Sequence, residues 1–263
     1  MRKEYIASAG TMRLLSWHNT KHSFEPHFHD LLFLGVILEG ACHFQSLGRW
    51  YEALPGDVVV IPAFTEHAAF CNKQTRYRAL YLKEQEFVNV LRKGEHQRGL
   101  WRANVSVIKV GDRSKKLATA MQECNLSEIQ EVVVALMGDD GDVLFPVSPL
   151  RDPVIQLLDS MADAARLHLP VAAIADRLGY TPFAFSRLFQ RHVGMRAVFF
   201  RNQMRLLFAE EQLLSGDPVS IVAACWGYAD QAHFTRELKK CRGVTPRNYS
   251  LNFQKIQSST PCA

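Results

Sequence analysis

The sequence has no long hydrophobic run and no features of an exported protein. Across its 263 residues, no apolar stretch approaches the roughly 20 residues needed to cross a bilayer. The opening residues Met1–Glu4 are not followed by an apolar segment, so we also expect no secretory signal. These absences argue against a membrane protein and favour a cytoplasmic one.

Cysteine is scarce and is not spaced for a zinc site or a redox motif. The six cysteines, at positions 42, 71, 124, 225, 241 and 262, include no C-x-x-C pair. Since no export signal is expected either, we predict that all of them are reduced thiols in a cytoplasm.

Excess charge is missing from the first half of the chain. Residues 1–150 hold 17 Lys/Arg and 17 Asp/Glu, whereas residues 151–263 hold 14 Lys/Arg against 9 Asp/Glu. The length allows two domains, and the 48% hydrophobic and 22% charged content fits a globular protein. The second half therefore carries the whole positive excess, as expected of a domain that meets phosphates.

One pattern of helix signals occurs twice in this second half. In each copy an apolar helix face leads to a Gly-Tyr break, at 179–180 and again 48 positions later at 227–228. Thr181 and Asp230 then cap a second helix, which Gly194 and Gly243 end. The apolar positions are Val171, Ile174, Ala175, Leu178, Phe185, Leu188, Phe189 and Val193, then Val219, Val222, Ala223, Trp226, Phe234, Leu238 and Cys241. The repeat predicts two helix-turn-helix units, whose second helices can enter the DNA major groove.

These residues carry a family resemblance. The run Gly227-Tyr228-Ala229-Asp230-Gln231-Ala232-His233-Phe234-Thr235-Arg236, followed by Gly243-Val244-Thr245-Pro246 and Tyr249, resembles the signature of the AraC/XylS family of bacterial transcription regulators. Ser186-Arg187-Leu188-Phe189 and Arg205-Leu206 are similar to the matching parts of the first unit and the connecting helix. The resemblance covers roughly residues 152–250.

The N-terminal half has the pattern of a β domain. Strands are predicted at Leu31–Leu38, Ala41–Leu47, Val58–Ile61 and Tyr77–Leu82, with turns between them. The order His27-Phe28-His29, Gly40, Pro55-Gly56-Asp57, Pro62 and His67 resembles the two cupin motifs. That resemblance implies a small β-barrel, which AraC/XylS regulators commonly use to bind an effector and to dimerise. The expected fold class is α+β, with a cupin-like barrel and flanking helices before an all-α domain of two helix-turn-helix units joined by a helix.

Three histidines raise the question of a metal ion. In metal-binding cupins, an H-x-H pair, a later His and a Glu hold the ion, and His27, His29 and His67 match the histidine positions. The Glu position falls on the apolar Phe33 or Leu34, so we predict neither a metal nor a cofactor. We expect instead a small-molecule effector site lined by His27, His29, Trp50, Phe64, His67 and Tyr81.

Two helical segments are predicted to follow the barrel. Glu84–Lys93 is one, and Ser114–Met137 carries apolar stripes of one or two helices, with Ser127 as a candidate cap. The stripe either covers the barrel or pairs with a second chain, and the family favours pairing. The predicted homodimer contacts are Leu117, Met121, Ile129, Val133 and Leu136.

The predicted domains follow from these segments. Residues 1–137 form the effector-binding and dimerisation domain, residues 138–151 an acidic, Pro-containing linker, and residues 152–253 the DNA-binding domain, which opens with a helix at Val154–Arg166. We expect residues 254–263 to be a frayed tail.

The outward faces of the two recognition helices predict the DNA contacts. They are Phe183, Ala184, Ser186, Arg187, Gln190 and Arg191 on the first helix, and Gln231, Ala232, His233, Thr235, Arg236, Lys239 and Lys240 on the second. The resemblance implies base contacts by Phe183, Ser186 and Arg187, and by Gln231, Ala232, His233 and Arg236. The second copy departs from the first at Glu237, which occupies the position that the apolar Leu188 has in the first copy. We expect Glu237 to turn Arg236 aside or to repel phosphate.

A single helix is predicted to join the two units. Ala197–Leu214 has Phe200, Met204, Leu207 and Leu214 on its expected buried side. Its 18 residues span roughly 27 Å at about 1.5 Å per residue, and major-groove faces recur about every 34 Å. Such a helix can present both recognition helices to successive grooves.

The sequence therefore predicts a cytoplasmic DNA-binding regulator of the AraC/XylS type and not an enzyme. Its expected partners are an operator duplex, a small-molecule effector, a second copy of the chain and RNA polymerase, with no membrane. Two alternatives are a metal-dependent cupin enzyme and a ligand-independent regulator whose barrel only dimerises or binds a protein.

Overall fold

The computed structural model describes residues 2–9, 12–18, 22–72, 74–82, 105–125, 127–129, 131–133, 135 and 161–251. The chain divides into two compact units, Met1–Val147 with Leu251–Ala263, and Ser148–Ser250. Within the described ranges, no helix has the length and apolar character needed to span a membrane.

In the described part of the first unit, ten antiparallel strands form two sheets. They are β1 (Arg2–Ala9), β2 (Met12–His18), β3 (His22–His27), β4 (Leu32–Glu39), β5 (Cys42–Ser46), β6 (Arg49–Ala53), β7 (Val58–Ile61), β8 (His67–Cys71), β9 (Arg76–Leu82) and β10 (Ser106–Ile108). One sheet has the order β1-β2-β9-β4-β7-β10 and the other β3-β8-β5-β6. Cupin and jelly-roll domains take this double-sheet form.

The unbroken apolar run of β4 is explained by burial on both faces of the larger sheet. Successive strand residues point to opposite faces. Phe33 and Ile37 pack into the core between the two sheets, whereas Leu32 and Leu34 pack into a second core on the other side. Water therefore reaches neither face over most of this strand.

The second core is closed by the helical segment after β10. In α1 (Asp112–Glu123), Leu117 and Met121 are fully buried against the sheet, as are Ile129 and Val133 in the helical residues 127–129 and 131–133. The proposed dimer stripe thus covers the chain's own sheet, the first of the two alternatives above. The prediction that these side chains meet a second chain is wrong, because burying the sheet's apolar face already occupies them.

The cap between these helical segments also differs from the prediction. Asn125 Oδ1 accepts a hydrogen bond from the backbone N–H of Glu128 at 3.2 Å, so Asn125 rather than Ser127 caps the second segment. Asn125 follows Cys124, whose positive φ of 57° ends α1.

Two cysteines form a disulfide, so the prediction that all six are reduced thiols is wrong for this pair. Cys42 and Cys71 form a disulfide across β5 and β8, where the strand register places them opposite each other with a Cα–Cα distance of 4.4 Å. The pairing depends on the register of strands distant in sequence, which cysteine spacing does not reveal. Cys124, Cys225 and Cys241 are free thiols, and Cys262 lies outside the described residues.

The second unit contains the two predicted helix pairs. They are α2 (Val171–Arg177) with α3 (Pro182–Val193), and α5 (Val219–Cys225) with α6 (Gln231–Arg242), joined by α4 (Ala197–Leu214). Ile174, Phe185 and Phe189 are buried in the first pair, and Val222, Phe234 and Leu238 in the second. Leu178, Leu188, Val219 and Trp226 are only half-buried.

The connecting helix is buried on more than the one predicted side. Phe200 and Met204 are buried as expected, whereas Leu207 and Leu214 are half-buried. Leu206, Ala209 and Leu213 are also buried, so α4 is covered along both sides and acts as the common core of the two helix pairs.

Several predicted features lie wholly or partly outside the described residues. They are the helix Glu84–Lys93, Leu136 of the proposed stripe, the linker 138–151, the helix Val154–Arg166 up to residue 160, and the tail 254–263.

Candidate functional site

The first recognition helix, α3, is held by caps at both ends. Thr181 Oγ1 accepts a hydrogen bond from the backbone N–H of Ala184 at 3.2 Å, and Pro182 occupies the first helical position. Gly194, with a φ of +86°, ends the helix. The predicted contact residues Phe183, Ala184, Ser186, Arg187, Gln190 and Arg191 are all exposed. The caps and the core thus present one face of α3 to solvent.

Phe183 is the most exposed large apolar side chain among the described residues. It is 71% exposed, and the guanidinium carbon of Arg187 lies 5.6 Å from the centre of its ring, one turn further along α3. Exposing an aromatic ring to water is unfavourable, although a cation over the ring offsets part of the cost. The pair offers an apolar surface for a thymine methyl beside a donor suited to guanine.

The second recognition helix, α6, is capped in the same way. Asp230 Oδ1 accepts a hydrogen bond from the backbone N–H of His233 at 2.6 Å, and Gly243 ends the helix with a φ of +70°. The predicted contact residues Gln231, Ala232, Arg236, Lys239 and Lys240 are exposed. His233 and Thr235 are half-buried, and His233 Nδ1 accepts a hydrogen bond from the backbone N–H of Ala229 at 3.3 Å. His233 is therefore partly engaged in the turn.

Arg205 of the connecting helix fixes the turn between α5 and α6. Its guanidinium donates to the Trp226 carbonyl, with Nε at 2.7 Å, and lies 5.0 Å from the centre of the Tyr228 ring. Gly227 between them has a φ of +66°, and a Cβ there would lie 3.1 Å from Arg205 Nη2. Glycine is thus favoured both by the backbone conformation and by the close approach of Arg205.

Glu237 forms a different contact from the one predicted. Its Oε1 lies 3.3 Å from Lys240 Nζ, one turn along α6. Both groups are exposed enough for water to weaken the pair. Glu237 thus engages a lysine of the same helix, and Arg236 stays exposed beside it.

In the first unit, three histidines are brought together where β3 and β8 pair. His27 lies opposite His67 in the strand register, with ring centres 4.3 Å apart, and the His29 ring lies 5.0 Å from that of His67. All three are buried, and each Nδ1 donates to a backbone carbonyl, those of Glu25, Leu31 and Thr65, at 2.6–2.8 Å. A carbonyl can only accept, so each neutral ring carries its proton on Nδ1 and its lone pair on Nε2.

Aromatic rings surround part of this cluster. Tyr81 lies 5.5 Å from the His29 ring and Phe33 lies 5.9 Å from it, while Phe24 lies 6.1 Å from the His27 ring. Of the predicted effector residues, the structure therefore brings together His27, His29, His67 and Tyr81. Phe33 and Phe24 were not predicted, although Phe33 stood out as the apolar residue at the missing ligand position.

Two predicted effector residues lie elsewhere. Trp50 is 60% exposed and packs against Phe70 on the other side of the smaller sheet, so its inclusion in the site is wrong. Its place on β6, opposite Gln45 of β5, turns it outward. Phe64 is half-buried with its ring 5.7 Å from Phe28, and its backbone N–H donates to the His29 carbonyl at 2.7 Å. It borders the cluster through its backbone.

The histidine cluster differs in its surroundings from the metal site of a cupin. The part of the chain that the structure describes holds no group of three or more His, Cys, Asp or Glu placed to coordinate one. Phe33, at the position where cupins supply a carboxylate, packs its ring against His29. The site lacks the anionic ligand that the cupin arrangement requires.

The second cupin-like motif has a structural role. Asp57 is buried; its Oδ2 accepts from the Leu54 N–H at 2.9 Å and from Lys109 Nζ at 2.8 Å, and its Oδ1 from the Val110 N–H at 3.1 Å. Burial opposes ionisation, but these hydrogen bonds and the lysine charge outweigh it and lower the pKa of Asp57. The carboxylate fastens the turn before β7 to the residues after β10.

Family profiles match both units. The AraC-like ligand binding domain matches residues 9–107, and a helix-turn-helix domain matches residues 174–252. The chain belongs to the AraC/XylS family of transcription regulators. The histidine cluster thus lies in the ligand-binding domain, and α3 and α6 lie in the helix-turn-helix domain of this regulator.

Curated relatives share this arrangement at low identity. The arabinose operon regulatory protein of Escherichia coli is 27% identical over 236 residues, which are 82% of this chain and 79% of that protein. The transcriptional activator RhaS of Pectobacterium carotovorum is 21% identical over 86% of this chain and 87% of its own length. The match to the arabinose operon regulatory protein of Salmonella typhimurium is 29% identical but spans only 43% of that protein.

Solved structures share the fold of the AraC/XylS regulator. Apo ToxT from Vibrio cholerae superposes with a TM-score of 0.66 at 14% identity, covering 94% of this chain and all of ToxT. ToxT bound to (E)-4-(8-methylnaphthalen-1-yl)but-3-enoic acid gives a TM-score of 0.65 at 10% identity, covering 93% of this chain. At these identities the likeness concerns the fold alone.

Proposed function

We propose that this chain regulates transcription by reading a DNA sequence with both helix-turn-helix pairs, α3 and α6 each entering a major groove of the same duplex. The observation that carries the proposal is the exposed face of α3, where Phe183 is 71% exposed beside Arg187. An apolar ring that stays in water on a capped helix forgoes the free energy of burial. It can recover that free energy by packing against a base edge.

Charge supports the same proposal. The recognition helices expose Arg187, Arg191 and Arg236, and Lys239 and Lys240 follow about one turn after Arg236 in α6. Residues early in a recognition helix reach base edges, whereas later basic residues meet phosphates and release counterions. We expect Arg187 and Arg236 to set sequence preference, and Lys239 to contribute mainly salt-dependent affinity.

We further propose that a small molecule bound beside the histidine cluster controls this activity. His27, His29 and His67, with Tyr81 and Phe33, combine buried polar groups with apolar walls, the usual composition of an effector site. Family membership adds support, and the ToxT structure cited above has a small carboxylic acid bound.

Assembly and location complete the proposal. We propose a cytoplasmic homodimer that activates transcription through contact with RNA polymerase, with the name of RhaS as the support for activation. The dimer contact would use exposed side chains, since the stripe from Leu117 to Val133 is buried.

A selection from a randomised duplex library tests the DNA-binding proposal. The full chain should enrich one motif with two contacted segments, and Arg187→Ala should erase the preference at one segment while Arg236→Ala erases it at the other. Lys239→Ala should instead weaken binding to selected and scrambled duplexes alike. A wild-type chain that enriches no sequence would contradict the proposal.

A library of small metabolites, screened by thermal shift on the full chain, tests the effector proposal. A compound that stabilises the wild type should lose its effect in His29→Phe, whereas the outward-facing control Trp50→Ala should retain it. Equal response in both variants would place the effector elsewhere.

A further inference from the structure

The C-terminal end of α6 is joined to the connecting helix by a buried carboxylate. Glu210 of α4 is 6% exposed, and its Oε1 lies 2.8 Å from Arg242 Nε at the last position of α6. Its Oε2 accepts a hydrogen bond from the Tyr249 hydroxyl at 2.7 Å. One carboxylate therefore contacts both the recognition helix and the segment that follows it.

The first copy of the helix-turn-helix repeat has apolar residues at all three corresponding positions. With Arg187 aligned to Arg236, the counterparts of Glu210, Arg242 and Tyr249 are Met161, Val193 and Phe200, each 49 positions earlier. Their exposed fractions are 0%, 2% and 0%. The first copy thus has three buried apolar side chains where the second copy has a buried ion pair and a hydrogen bond.

The contacts of Glu210 are more directional than apolar packing. A buried ion pair gains little net stability, because removing two charges from water offsets their attraction. Its geometry is nevertheless restrictive, since the guanidinium must meet the carboxylate at hydrogen-bond distance. A second polar contact adjoins it, where Gln203 Nε2 of α4 donates to Cys241 Sγ at 3.7 Å. The C-terminal turn of α6 is therefore held by directed contacts.

We propose that Glu210 is a positioning residue that sets the angle of α6 against the connecting helix, and so the base discrimination of the second helix-turn-helix copy alone. The inference rests on the proposed DNA-binding function. Glu210 itself is buried and touches no DNA; it acts through Arg242 and Tyr249. The first copy has the apolar Met161, Val193 and Phe200 at these positions, so its recognition helix does not depend on Glu210.

The first copy of the repeat supplies the residues for the test variant. In the full chain, the triple variant Glu210→Met/Arg242→Val/Tyr249→Phe places those apolar residues at the corresponding positions of the second copy. Selection from a randomised duplex library, repeated with wild type and variant, should retain the preferences that Arg187→Ala erases. Discrimination at the positions that Arg236→Ala erases should fall about tenfold, while the thermal midpoint stays at or above that of the wild type.

A second variant covers the case in which the triple variant does not fold. Glu210→Gln keeps the shape and an acceptor for Tyr249 but removes the charge beside Arg242, and should lower the same discrimination in the same direction. Glu210→Asp, which restores the charge, should recover part of it. Met161→Leu, the matched change in the first helix-turn-helix copy, should leave base discrimination at the second segment unchanged.

The outcomes separate the two proposals. A folded variant that reads both segments as the wild type does, or loses discrimination equally at both, would overturn the positioning role of Glu210. A wild type that enriches no sequence would overturn the DNA-binding proposal, and this inference with it.

Discussion

Phe183→Ala removes a side chain that is 71% exposed in the free protein, so it separates DNA contact from folding. A phenylalanine side chain has about 200 Å² of surface, of which about 140 Å² is open here. If a base edge covers half of that, about 70 Å² at about 25 cal/mol per Å² gives about 1.8 kcal/mol, or about 20-fold in affinity. The thermal midpoint should barely change.

The assay is an anisotropy titration at fixed salt on the duplex selected by the wild type. Because an apolar side chain recognises thymine through its methyl group, single replacement of each thymine by uracil should weaken the wild type at one position. That replacement should have no effect on Phe183→Ala. The matched control is Ile221→Ala, which removes an apolar side chain 51% exposed on α5 and should change affinity less than about twofold.

Two results would refute this reasoning. Phe183→Ala could bind the selected duplex within twofold of the wild type, in which case the exposed ring meets no base. Alternatively, it could lose the same factor on a scrambled duplex, in which case the ring supports non-specific binding and the α3 placement fails.

Four other predictions concern stability, assembly and metal content. Ile129→Asp should destabilise the first unit by about 3 kcal/mol or more in urea unfolding, because it buries a charge where the side chain is 0% exposed; a stable variant with altered oligomeric state would contradict this. Asp57→Asn should cost about 2 kcal/mol at neutral pH. Because the folded pKa of Asp57 is lowered, wild-type stability should fall as the pH drops from the ordinary value of 3.8 through the lower pKa of the folded state, and the difference between the two proteins should narrow over that range. Elemental analysis should find no stoichiometric transition metal in the full chain, whereas one ion per chain, lost in His29→Ala/His67→Ala, would revive the enzyme alternative. A fragment from residue 151 onward should fold alone and sediment as a monomer while residues 1–145 self-associate, and the reverse pattern would move the dimer contact to the second unit.

The helix pairs of the second unit were predictable because their signals are local. Thr181 and Asp230 cap the helices within three residues of their hydrogen-bond partners, and Gly194 and Gly243 end them at positive φ. Apolar spacing within one helix then decides which face is buried. The exposure of Phe183 follows from that face alone.

What the sequence did not reveal depends on contacts between distant segments. The disulfide partners Cys42 and Cys71 are 29 residues apart, and only the register of β5 and β8 brings them together. Trp50 is outward because of its position on β6, which local pattern did not identify as a strand. An apolar stripe shows that a helix buries one face, but does not show whether a sheet or a second chain covers it.

The candidate sites were likewise only partly predictable from the sequence. His27, His29 and His67 could be selected from their order in the chain, whereas the nearness of Phe24 and Phe33 required the fold. Glu210 carries no local signal at all, since a glutamate within a helix usually faces water.

The connecting helix α4 also restricts how the AraC/XylS regulator can diverge. One residue inserted within Ala197–Leu214 would rotate everything beyond it by about 100° and advance it by about 1.5 Å, so that α6 would no longer face the same way relative to α3. Seven inserted residues nearly restore the rotation, but they add about 10.5 Å, or about three base pairs of duplex. Three base pairs turn the duplex itself by about 100°, at about 10.5 base pairs per turn. The periods of the protein helix and the DNA helix thus do not realign together, and operator spacing cannot be retuned by small changes in the length of α4.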